Sequence, residues 1–247
     1  SGASLSDAAL LVISAAPGEF EFGITRDGMT RQEALLAYAT GVRQFIIAVN
    51  KMDRVNYEEK RFLEVKKEVS AYLKKLGIPI HQQIFIPISG WMGDNLVEPS
   101  DKMPWFEHWE CRQKPSSDPI HGKTLLDAID YGLHIPRRAA NVPLRIPILK
   151  TYKIRGVGTV ATGRIATGTV QPGEELLVLP LNKKATVRTI ESYHKSKSLG
   201  AAGDIIGVHL PGIAVDEVRR GAVLCGKDRP GIPVTCFIAK VSITNHP

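Results

Sequence analysis

Residues 44–53 read QFIIAVNKMD, five consecutive apolar side chains running directly into a polar turn. An apolar run without polar alternation suits a strand covered on both faces, as in a parallel sheet. Asn50-Lys51-Met52-Asp53 then falls at the carboxyl end of that strand, where open α/β sheets place their ligands. The chain on either side repeats the theme. Residues 8–16 (AALLVISAA) read as a second strand buried on both faces, and residues 84–88 (IFIPI) as a third. Thr30 followed by Glu33 reads as a capping box, with a helix over 31–40 stopped by Gly41. Phe62, Val65, Val69, Leu73 and Leu76 recur at helical spacing and predict a long helix from Tyr57, ended by Gly77 and Pro79. Residues 124–133 make a final helix. Strands alternating with helices predict an α/β domain with a parallel sheet over residues 1–140.

From Val142 the pattern changes to β-branched stretches broken by glycine-rich turns. Residues 157–165, 175–178, 185–190 and 205–210 are short strands at barrel-like spacing. An all-β barrel is therefore expected over 141–231, reached through a linker at 136–143 that holds Arg137 and Arg138. Residues 232–247 start a further β run and stop, which suggests a third domain begun and cut short.

Composition narrows the class. The chain has 247 residues, 43% hydrophobic and 23% charged, an ordinary globular profile for two domains. No apolar run approaches the roughly 20 residues of a membrane span, and no signal peptide is legible. Cys111, Cys225 and Cys236 are widely spaced, which argues against a disulfide framework and a cysteine zinc site and fits a reducing cytosol. No metal-ligand set is read from the sequence. A net charge of +7 permits a polyanionic partner. Lys66, Lys67, Lys74 and Lys75 lie off the apolar stripe of the long helix, as a solvated face or a nucleic-acid patch.

Two motifs mislead. His121-Gly122-Lys123-Thr124 resembles the end of a Walker A loop, yet Ser117 stands where that loop needs glycine, and no strand precedes it. Thr124 is better read as a helix N-cap. Gly156-Val157-Gly158-Thr159-Val160-Ala161 matches a dinucleotide fingerprint, but Thr159-Val160 continue a strand instead of opening a helix.

One constellation carries chemistry. Asp53 can accept hydrogen bonds from guanine N1–H and the 2-amino group together, and adenine would leave the carboxylate unsatisfied. Asn50 can brace the loop and reach the purine edge, while the Lys51 stem covers a ring face. Ser89-Gly90-Trp91 follows the third strand, and the backbone N–H groups of Ser89 and Gly90 could donate to guanine O6. Trp91 reads as an aromatic lid or a packing residue before a direct base stack.

These segments resemble the G domain of the elongation factor 1-alpha family of eukaryotes and archaea. The resemblance is carried by Asn50 to Asp53, Ser89-Gly90-Trp91-Met92-Gly93-Asp94-Asn95, Glu98-Pro99-Ser100 and Met103-Pro104-Trp105-Phe106. Thr30-Arg31, Tyr152-Lys153-Ile154, Gly163-Arg164, Val218-Arg219-Arg220-Gly221 and Asn245-His246-Pro247 extend it along the chain. It implies a partial Ras-like G domain followed by a translation-factor barrel, binding GTP/GDP. It also implies aminoacyl-tRNA, the ribosome and a guanine-nucleotide exchange factor as partners. In that family the aminoacyl end of tRNA meets the second domain at positions that correspond to Glu191, Tyr193 and Gly203-Asp204-Ile205, with His194 beside them. Tyr193 stands where the family has histidine and Ile205 where it has asparagine; Ile205 reads either as barrel core or as a remodelled contact.

The resemblance starts at Gly2-Ala3-Ser4, downstream of the family's phosphate loop, magnesium-binding switch and catalytic segment. The chain is therefore expected to hold no catalytic residue and no Mg²⁺ ligand, and to hydrolyse no GTP by itself. Three readings stay open: a fragment of a GTP-dependent elongation factor, a GTPase-derived binding module or release- or rescue-type paralogue, and an unrelated nucleotide enzyme.

Overall fold

The computed structural model describes residues 5–241. The matches at Gly2-Ala3-Ser4 and Asn245-His246-Pro247 lie outside the described residues. The chain divides into two compact units, residues 1–136 and 137–247.

In the first unit, β1 (Ala8–Ser14) is followed by α1 (Glu19–Ile24), α2 (Met29–Ala39), β2 (Gln44–Asn50), α3 (Glu59–Lys75) and β3 (Ile84–Pro87). The strands form a parallel sheet in the order β1-β2-β3. Strand β2 is the centre, and its alternating side chains feed two cores. Phe45, Ile47 and Val49 join Phe62, Val65, Val69 and Leu73 of α3 on one face. Ile46 and Ala48 join Ile84, Ile86, Trp109 and Ala128 on the other. That is why the QFIIAV run contains no polar alternation.

Strand β1 departs from the expectation of burial on both faces. Leu11 and Ile13 are buried, but Leu10 and Val12 are 46% and 52% exposed. The helices cover one face of β1, whereas the second core reaches only β2 and β3. Helix α2 also starts differently. Its N-cap is Gly28, whose carbonyl accepts from the N–H groups of Arg31 and Gln32, and Thr30 lies inside the first turn. A Cβ at Gly28 would stand 2.2 Å from the Gly23 carbonyl oxygen, so only glycine fits this cap. Helix α3 ends as predicted, on the left-handed Gly77. Its lysines 66, 67, 74 and 75 are all exposed.

A ribbon of β4 (Trp109–Cys111) and β5 (Ile120–Gly122) leads to α4 (Leu125–Asp127), which runs on as a wide π-type turn over Ala128–Gly132. Thr124 is the N-cap: its hydroxyl accepts the Asp127 N–H, and the Asp127 carboxylate accepts the N–H groups of Lys123 and Thr124. The Walker-like tetrapeptide is thus a capping box.

The second unit contains β6 (Arg145–Ile154), β7 (Gly158–Arg164), β8 (Thr169–Val170), β9 (Glu175–Leu179), β10 (Lys183–Thr186), β11 (Thr189–Ser192), β12 (Lys195–Lys197), β13 (Gly200–Ala201), β14 (Ile205–His209) and β15 (Val223–Gly226). Eight of them pair in the order β10-β9-β15-β6-β7-β14-β11-β12, and β8 pairs with β13. One face of this sheet converges on a single core that includes Ile146, Ile148, Ala161, Val178, Ile190, Val208 and Leu224. The sheet curls around that core as a β-barrel. The glycine-rich Gly156–Gly158 segment is the turn between β6 and β7, and Thr159 and Val160 continue β7. Over residues 232–241 no strand forms, against expectation. Ile232, Val234, Phe237, Ile238 and Val241 there are exposed.

Candidate nucleotide-binding site

The candidate residues sit on two loops at the carboxyl ends of β2 and β3. Behind Asn50 the backbone turns sharply, because Lys51 adopts a left-handed conformation (φ 65°) and Met52–Val55 close one 3₁₀ turn. A non-glycine residue held in that region is strained, a hallmark of functional loops. Met52 anchors the turn: its side chain is fully buried and its N–H donates to the Ile88 carbonyl at 3.2 Å.

The two loops are then cross-linked. The Asn50 Oδ1 accepts the N–H of Lys51 at 2.7 Å and the N–H of Gly90 at 2.8 Å. The Ser89 hydroxyl donates to Asp53 Oδ1 at 2.5 Å and accepts the Met92 N–H at 3.2 Å. Both amides expected to meet a base are therefore engaged, Gly90 with Asn50 and Ser89 with the Asp94 carbonyl at 3.2 Å. Asp53 Oδ2 receives no hydrogen bond among the described residues. The Lys51 ammonium pairs with Glu19 at 2.5 Å, which draws its stem across the loop. That pairing, with a hydrogen bond from Ser14, holds the Glu19 carboxyl below its ordinary range. Trp91 is 91% exposed, so it is no packing residue within this unit.

A polar cluster that sequence reasoning gave no role supports this floor. Asp94 accepts from the Tyr57 hydroxyl at 2.9 Å, from the Ser100 hydroxyl at 2.7 Å and from the Lys102 ammonium at 3.3 Å. Burial alone would push the Asp94 carboxyl up, but bonds from Ser100, Tyr57 and Lys102 hold it below the usual range. Burial pushes the Tyr57 hydroxyl up. Asn95, itself left-handed (φ 56°), donates to the Pro87 carbonyl at 2.9 Å and accepts the Ser100 N–H at 2.7 Å. In the sequence Asp94, Asn95 and Ser100 stand out only as part of the segments that carry the family resemblance; nothing there links Asp94 to Tyr57.

On the barrel, β11 and β12 form a hairpin whose two-residue tip is Tyr193-His194, both at positive φ (50° and 61°). Tyr193 is 79% exposed. Asp204 is held by Lys197 at 2.7 Å and by the Ala201 N–H at 3.0 Å. Burial raises its carboxyl, and the Lys197 and Ala201 bonds more than offset this, leaving it lowered. Ser192 donates to the Ile205 carbonyl at 2.8 Å, tying the hairpin to the Asp204 turn. Glu191 and Ile205 both point away from the core, because their neighbours Ile190 and Ile206 are the buried residues. Ile205 is only half-buried, so the reading of it as barrel core does not hold.

A left-handed, cross-braced Asn-Lys-x-Asp loop at the end of a parallel sheet, followed by a β-barrel, defines a translational GTPase fold. Family models bear this out. The elongation factor Tu GTP binding domain matches residues 1–135, and elongation factor Tu domain 2 matches residues 158–225. The chain belongs to the elongation factor Tu GTP-binding family. It is 45% identical to elongation factor 1-alpha of Serendipita indica and 44% identical to that of Saccharomyces cerevisiae, covering 100% of this chain and 53% of each relative. It spans about half the length of these curated relatives. Among solved structures it is similar to the apo form of translation elongation factor SelB from Methanococcus maripaludis. That match has a TM-score of 0.62 at 25% identity over 93% of this chain and 42% of the other. No helix among the described residues is long and apolar enough to cross a membrane.

Proposed function

We propose that this chain is the guanine-reading and barrel portion of a GTP-dependent elongation factor. The whole protein delivers aminoacyl-tRNA to the ribosome in the cytoplasm and is recharged by a guanine-nucleotide exchange factor. The observation that carries this reading is the brace between the two loops. Asn50 holds Gly90, Ser89 holds Asp53, and one carboxylate oxygen of Asp53 keeps its full acceptor capacity. A carboxylate oxygen has two lone pairs, so Asp53 can retain Ser89 and still accept guanine N1–H and the 2-amino group. The Lys51 stem, fixed by Glu19, offers an apolar cover for one face of the base, and exposed Trp91 stands on the same loop as Ser89. These residues suit GTP or GDP; no residue of this chain is assigned to Mg²⁺.

The hairpin tip Tyr193-His194, with Glu191 and Asp204, is the proposed contact for the aminoacyl end of tRNA. Tyr193 can stack on a base or sugar, and Glu191 can accept a hydroxyl or amino donor.

Base choice tests the nucleotide reading. In the whole protein, Asp53→Asn replaces an acceptor by an amide donor, which opposes the 2-amino group of guanine and matches the 2-carbonyl of xanthine. Preference should move from GTP toward XTP by about 1–3 kcal/mol, the cost of an unsatisfied partner. Unchanged GTP affinity in this variant would reduce Asp53 to a turn residue.

A further inference from the structure

The β4–β5 ribbon carries a side-chain cluster that the nucleotide loops do not use. Trp109 and Cys111 face the core, so Glu110 lies on the outer face of β4, and exposed His108 immediately precedes the strand. The antiparallel register sets His121 directly opposite Glu110. The ligand atoms of His108, Glu110 and His121 all lie within 4.8 Å of one another, and all three residues are exposed. The two imidazoles meet edge to face at 4.7 Å, and neither makes a hydrogen bond among the described residues.

We propose that this face is a binding site for a divalent transition-metal ion, with His108, Glu110 and His121 as its ligands. Two imidazole nitrogens and one carboxylate oxygen are a borderline donor set suited to Zn²⁺, Cu²⁺ or Ni²⁺, and unsuited to Ca²⁺ or Mg²⁺. Tetrahedral bonds of about 2.0–2.1 Å require donors roughly 3.4 Å apart. Exposed side chains on a fixed ribbon close that gap by small rotamer changes. The ribbon itself is fixed, since Trp109 Nε1 donates to the Thr124 carbonyl at 3.1 Å and Gly122 packs against the Trp109 ring. Three protein ligands leave the remaining position to water or to a ligand from a partner.

One rival exists. Arg112 Nε pairs with Glu110 at 2.9 Å, and a cation at the site must displace it. Both side chains are substantially exposed, and such a pair contributes little. The sequence argued against zinc only through cysteine spacing; the imidazoles come together solely through the register of β4 and β5.

The test is a Zn²⁺ titration of the 247-residue chain against a colorimetric zinc indicator at neutral pH. Cys236→Ser removes the exposed thiol as a competing ligand. One equivalent should bind. His108→Ala and His121→Ala should each weaken binding beyond the roughly 10–100-fold seen on losing a mere supporting partner of a metal. Arg112→Ala, an exposed change on the same ribbon, should bind at least as well as its parent. With Cu²⁺ as probe, paramagnetic resonance should register two nitrogen ligands, and one in each histidine variant. Absence of a stoichiometric ion, equal binding by the double histidine variant, or loss of binding in Arg112→Ala would each overturn the assignment.

Discussion

The side-chain oxygen of Asn50 accepts the backbone N–H of Gly90 at 2.8 Å, joining the loop after β2 to the loop after β3. It also accepts the N–H of Lys51, the residue whose left-handed backbone aims the loop. One amide therefore stabilises a strained turn and its neighbour together. Asn50→Ala should cost about 1 kcal/mol per lost hydrogen bond, since both donors lie near solvent and can be rehydrated. Gly90→Ala is the contrast. Its Cβ would meet Asn50 Oδ1 at 3.4 Å, an ordinary contact, so stability should change by less than about 0.5 kcal/mol. Urea denaturation of both variants measures this, and equal midpoints would show that the brace contributes nothing.

The Asp94 cluster makes the floor of the site sensitive to acid. The folded carboxyl lies below its unfolded value, so its stabilisation is complete above the unfolded pKa and is lost as pH falls through the folded one. Wild type should exceed Asp94→Asn in urea midpoint near pH 6, and the gap should shrink on acidification toward about pH 3. A gap that stays constant with pH would exclude ionised Asp94 as its source.

Tyr57 gives the opposite limb. Burial and the Asp94 carboxylate raise its hydroxyl, so the neutral form is favoured in the fold, and that contribution is lost only as pH rises through the raised value. Tyr57→Phe should destabilise the chain near neutrality by about 1 kcal/mol, one hydrogen bond. The penalty should fade only in strong alkali. A Tyr57→Phe midpoint equal to wild type near neutral pH would remove Tyr57 from the network.

Tyr193-His194 occupies a two-residue turn with both φ angles positive, a geometry that Asn-Gly adopts far more readily. Replacing Tyr193→Asn together with His194→Gly should stabilise the barrel by about 1 kcal/mol or more, read as a raised Tm. In the whole protein the same change should weaken aminoacyl-tRNA binding, as expected where strain serves contact. Tighter tRNA binding with higher stability would remove this tip from the proposed interface.

Ile205 and Ile206 are adjacent but opposite in consequence. Ile206 is 2% exposed in the barrel core, so Ile206→Asn should cost at least about 3 kcal/mol. Ile205 looks outward, and Ile205→Asn should cost less than about 1 kcal/mol. In the whole protein it should tighten aminoacyl-tRNA binding by about 1 kcal/mol through one new hydrogen bond. Thermal melts separate the first pair of outcomes and a tRNA protection assay the second.

Much of this was legible in the chain itself. The unbroken QFIIAV run determined a central parallel strand, because only burial on both faces makes such a run favourable. Asn50 and Asp53 followed from position alone, since the turn after such a strand is where α/β sheets hold ligands. Spacing likewise marked α3 and the strands β7, β9 and β14, whereas the single strand read over 185–190 is split at Val187-Arg188 between β10 and β11. Neighbours decided the rest. The exposed face of β1 depends on what packs over it, and AALLVISAA cannot state that. The outward direction of Ile205 came from pairing register, which a one-residue shift reverses. The Gly90 amide held by Asn50, the Asp94–Tyr57 bond and the meeting of His108 with His121 all join residues well apart in sequence. Contacts of that kind leave no periodicity behind, so only the folded chain could decide them.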